Sequence, residues 1–67
     1  MKNAKFTRCV DPGDLELIKT WIPNFEYSSR CPSANCIEAH STTDFTQQEM
    51  DDIETNAAAN FMSVEFS

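Results

Sequence analysis

The sequence predicts an α+β sandwich in which one four-stranded antiparallel sheet carries two helices on one face. Three observations predict it. Two segments, within 11–22 and 46–61, combine helical apolar spacing with helix-start residues. Short alternating stretches lie before, between and after them, and a turn-rich PSAN at 32–35 divides the middle stretch in two.

The first stretch, AKFTRCV at 4–10, sets Ala4, Phe6, Arg8 and Val10 on one side and Lys5, Thr7 and Cys9 on the other. This is the period of a half-buried strand, with Arg8 interrupting the apolar side. In DPGDLELIKTWIPNF, Asp11 is a candidate cap, Pro12 suits a first helical turn, and Asp14 complements the positive helix end. Leu15, Ile18 and Ile22 form one stripe with Trp21 beside it, so Trp21 is expected in the core. Pro23 then stops the helix.

FEYSSR and CIEAHS follow as two short strands around the turn. Phe25 and Tyr27 are expected on one face, and Ile37 and Ala39 on one face of the next strand. The second helix is the best-marked element. Thr46 and Glu49 have capping-box spacing, and Phe45 and Met50 flank them as a hydrophobic staple. Met50, Ile53, Ala57 and Phe61 continue at helical spacing, and Met62, Val64 and Phe66 alternate as a closing strand. The resulting order, βαββαβ, is that of a small ferredoxin-like sandwich.

Sixty-seven residues form a single domain, 1–67, with a small core. No run of about 18 apolar residues marks a membrane span, and MKNAKFTRCV lacks the apolar centre of a signal peptide. With three cysteines, an odd number, the expectation is a cytoplasmic protein with reduced thiols.

Charge is unevenly placed. Residues 1–30 hold five basic side chains against four acids, a balance of +1, whereas residues 31–67 hold seven acids and no Lys or Arg, −7. That second half excludes the basic footprint of direct nucleic-acid binding and suits a basic protein partner instead. Candidate partner-binding residues are Glu49, Asp51, Asp52 and Glu54 on the second helix, with Asp44 and Glu38 as lesser members. Part of that cluster is a local matter, because acids near a helix N-terminus are stabilised by the helix dipole.

Cys9, Cys31, Cys36 and His40 together form a possible tetrahedral zinc set, spaced C-x21-C-x4-C-x3-H. The predicted topology works against it. His40 stands four residues along the strand from Cys36, roughly 13 Å at about 3.3 Å per residue. The alternatives to zinc are a reversible Cys31–Cys36 disulfide and plain thiols, and plain thiols are the expectation. No catalytic constellation stands out, so no enzyme, cofactor or small-molecule ligand is expected.

Residues 28–50 resemble a small actinobacterial domain of unknown function that accompanies helix-turn-helix regulators. The shared features are the serine pair, Asn35-Cys36-Ile37-Glu38 and Phe45-Thr46-x-x-Glu49. The chain lacks that family's glycine-rich intervening stretch and is not assigned to it. As a type, a short acidic α+β chain without catalytic motifs is similar to phage-encoded inhibitors, including anti-CRISPR proteins. The functional expectation is therefore a non-enzymatic inhibitor of a nucleic-acid-binding host protein, acting in the host cytoplasm by acidic mimicry of nucleic acid. The alternative is a zinc-stabilised regulatory or structural module.

Overall fold

The computed structural model describes residues 1–8, 13–30 and 35–67. Its elements are β1 (Asn3–Thr7), α1 (Asp14–Trp21), β2 (Phe25–Arg30), β3 (Cys36–Ser41), α2 (Gln47–Ala59) and β4 (Ser63–Phe66). The strands form one antiparallel sheet in the order β2-β3-β1-β4. Ile18 of α1 and Ile53 and Ala57 of α2 share a core with Ala4, Phe6, Ile37 and Ala39, so both helices cover the same face. This is the predicted ferredoxin-like arrangement.

β1 is central because its alternation is the cleanest. Ala4 and Phe6 are completely buried, with Phe6 facing Ile37 of β3 on one side and Val64 of β4 on the other. The strand is shorter than the alternation suggests. It ends at Thr7, and Arg8 takes a left-handed φ of 69°. A charged residue at an apolar position thus leaves the strand instead of entering the core. Val10, Asp11 and Pro12, which carried the expected strand end and helix start, lie outside the described residues.

α1 starts at Asp14 behind Gly13, with no side-chain cap bond, and ends when Ile22 turns extended ahead of Pro23. Ile18 and Ile22 are buried, while Leu15 and Trp21 pack against the core from its margin. The Trp21 and Phe6 ring centroids are 6.0 Å apart.

β2 and β3 have the expected bounds, but one expected face is wrong. Phe25 pairs with Ser41 and Tyr27 with His40, so two steps on β2 match one on β3, and the extra residue is Glu26. A bulge shifts the side-chain alternation. Phe25 therefore packs against the core, whereas Tyr27 points away from it and is half exposed. Ile37 and Ala39 are both buried, as their alternation requires.

α2 begins with the complete capping box. Glu49 N donates to Thr46 Oγ1 at 3.1 Å, and Thr46 N donates to Glu49 Oε1 at 2.8 Å. Phe45 is buried and Met50 half-buried, completing the staple. The far end departs from expectation. The helix closes at Asn60, and Met62 N donates to Ala57 O at 2.8 Å while Phe61 N donates to Ala58 O at 3.1 Å. Those bonds define a Schellman end with Phe61 in its left-handed position, φ 61°. Phe61 thereby leaves the Met50–Ile53–Ala57 stripe and is 84% exposed. Met62 takes the buried place next to Ala57, and Val64 and Phe66 pack on the core from β4.

Replacing Thr46 with Ala is expected to cost about 1 kcal/mol in urea denaturation, the usual worth of such a cap. Glu49→Gln should cost less, because an amide oxygen still accepts the Thr46 N–H. Equal losses would contradict this account of the cap.

Candidate functional site

The acids proposed from sequence do not form one surface. Asp51, Asp52 and Glu54 are exposed on α2. At about 100° per residue Asp51 and Asp52 fall on the half of the helix opposite Ile53 and Ala57, and Glu54 lies on its flank. Gln47 Nε2 donates to Asp51 Oδ1 and Gln48 Nε2 to Asp52 Oδ1, each at 3.0 Å, which steadies both carboxylates from the preceding turn. Glu49 is half-buried and spent on the capping box.

Asp44 is engaged differently. The Met1 amino group donates to its Oδ1 at 2.7 Å. That hydrogen bond, followed by the charge of the amino group, holds the Asp44 carboxyl below its ordinary value of 3.8. Phe45 N also donates to Met1 O at 2.8 Å, so the chain start is tied to the approach to α2 by backbone as well as charge.

Glu38 is separated from the α2 acids by the thickness of the sheet. It alternates with buried Ile37 and Ala39 and so faces away from the helices, in register with Lys5. On the same outward face, the Tyr27 ring stacks on His40 with centroids 4.2 Å apart and planes 14° from parallel. His40 Nδ1 lies against Asn3 Oδ1, and Nε2 is 3.3 Å from Glu38 Oε1. Both ring nitrogens of His40 therefore face an oxygen, and a neutral imidazole can donate to only one of them. Sequence reading missed this cluster because the Glu26 bulge is what turns Tyr27 outward.

Cys36 is disulfide-bonded, which corrects the expectation of reduced thiols. Cys9 and Cys31 lie outside the described residues, so only Cys36 and His40 of the proposed zinc set are described. The oxidised Cys36 sulfur is no thiolate and cannot serve as a zinc ligand in this form. Cys36 is 3% exposed at the start of β3, opposite Thr7, whereas His40 stands near the other end of that strand. A cystine is a common staple in a domain with so small a core.

Among the described residues there is no pocket and no group of three or more His, Cys, Asp or Glu side chains placed to hold a metal. What the surface presents is charge on α2, a stacked aromatic pair on the sheet, and Phe61 at the end of α2. No helix among the described residues is long and apolar enough to cross a membrane. No protein-family model, curated protein or solved structure matches the chain.

Reduction with dithiothreitol, verified by intact mass, should lower stability by about 2–4 kcal/mol, the typical worth of a disulfide. An unchanged denaturation midpoint would contradict a stapling role for Cys36. At Asp44 the folded state favours the carboxylate. Its small, solvent-screened contribution is present above about pH 3.8 and is lost as pH falls through the lower folded value. An NMR titration should place the Asp44 midpoint below 3.8, and acetylating the Met1 amino group should return it toward that value.

Proposed function

We propose that this chain is a non-enzymatic protein-binding module whose α2 face meets a Lys- or Arg-rich surface of a partner protein. The observation that supports it best is the exposed set Asp51, Asp52 and Glu54, on a half-chain, residues 31–67, that contains no Lys or Arg. Acids near the start of a helix gain from its dipole, but that reaches only the first turn. Glu54 lies beyond it, three residues from Asp51, where like charges weaken a helix slightly. A partner that supplies cations removes that cost. Glu49 and Asp44 have structural partners in the fold, and Glu38 faces the other way, so the binding surface is narrower than the sequence suggested.

The sharper form of this reading is an inhibitor of a nucleic-acid-binding protein, with the carboxylates standing where phosphates would lie. A phage or mobile-element origin and a CRISPR-type target belong to that form. Disulfides persist mainly in oxidising surroundings. Action in a reducing cytoplasm therefore requires the fold to survive without the Cys36 bond, which the reduction experiment above measures.

Affinity capture from a candidate host lysate, followed by Kd measurement on the purified partner, tests the reading. Affinity should fall steeply between low and physiological salt, and Asp51→Lys with Glu54→Lys should weaken it by about tenfold or more. Salt-independent binding, or indifference to both reversals, would refute the electrostatic interface.

A further inference from the structure

The exposed aromatic at the end of α2 has no role in the fold. The left-handed position of a Schellman end is normally Gly, or Asn, because a Cβ is penalised there. Here it is Phe61, at φ 61°. Its ring is 84% exposed, the greatest exposure of any large apolar side chain among the described residues. Neither the turn nor the core uses the ring. The apolar contact that accompanies such a turn is made by Met62 and Ala57, which are 5% and 1% exposed. The bonds that close the turn come from the Phe61 and Met62 backbone N–H groups. Two unfavourable features, a β-carbon in the left-handed region and a hydrated phenyl ring, thus meet at one residue.

We propose that Phe61 is the apolar anchor of a protein interface and seats in a partner pocket whose rim carries Lys or Arg. The two hydrogen bonds of the turn fix the backbone, so binding has only the two side-chain torsions of Phe61 left to order, as suits a hot-spot residue. The neighbouring exposed residues of α2, Ala58 and Ala59, are small enough to let another surface come close. Back along the helix stand Glu54 and Asp51, about 10 and 15 Å away at 1.5 Å per residue. There is no Lys or Arg in residues 47–67. An apolar pocket ringed by cations complements that arrangement. The charge of the partner rests on the α2 reading above, whereas the anchor rests on Phe61 itself.

The test uses the full chain as bait for a random-peptide display library, with selected peptides measured by fluorescence anisotropy. Selected peptides should combine an apolar residue with Lys or Arg, and Phe61→Gly and Phe61→Asn should weaken them by about tenfold or more. The same variants should leave the urea midpoint unchanged or raise it, since they suit the turn better. A lowered midpoint would show that the ring is structural and overturn the proposal. Cationic peptides bound equally well by Phe61→Gly overturn the anchor and leave the acidic face standing. Peptides that need Phe61 but ignore Asp51→Lys and Glu54→Lys support the anchor and overturn the basic partner. Selection of no peptide counts against both. Self-association by sedimentation that is lost in Phe61→Gly would make the occupant a second copy and overturn the proposed partner.

Discussion

The structure depends on β1 being paired on both sides while its inward side chains are completely buried. Ala4 and Phe6 sit between β3 and β4 under both helices. Five residues therefore place most of the molecule. Their register sets Asn3 beside His40, Lys5 between Glu38 and Glu65, and Thr7 beside Cys36. The chain just before β1 continues the same work. Lys2 N and Asn3 N donate to Ser67 O, and Ser41 N donates to Lys2 O, joining both ends of the chain and the end of β3. A substitution at Phe6 would loosen two strand pairs and the floor under α1 and α2 together.

The sheet separates two surfaces of different chemistry. On the helical side, α1 carries both signs, with Lys19 paired to Glu16, whereas α2 carries only acids, two of them held by glutamines one turn earlier. On the outward side, Tyr27, His40, Asn3 and Glu38 engage one another, and Lys5 lies in register with both Glu38 and Glu65. That face thus sets one lysine between two carboxylates.

Much of this was legible in the residues because it is local. The capping box reads directly from Thr46 and Glu49, the strands from their alternation, and the order of elements then restricts the fold to few choices. The departures come from single residues where the backbone changes phase. Glu26 adds one step to β2 and reverses the roles of Phe25 and Tyr27. Phe61 adopts a conformation that its side chain disfavours and leaves the helical stripe it continued in sequence. The disulfide at Cys36 was hidden for another reason. Cysteine oxidation depends on which thiols meet in space, and an odd count argues only weakly against a bond. The candidate site was half legible: the acids were visible, but the competing uses of Glu49, Asp44 and Glu38 appear only once their neighbours are placed.

The bulge in β2 has a consequence beyond turning Tyr27 outward. β2 is an edge strand, and an edge with a regular ladder is a template on which another chain can add itself. An inserted Glu26 breaks that ladder near one end and puts a carboxylate there. Incoming strands find their hydrogen bonds out of step after one or two residues. A domain with so little core has slight protection from such growth in its stability, so irregularity at the rim matters more to it. The same defect therefore works against strand addition at the β2 edge.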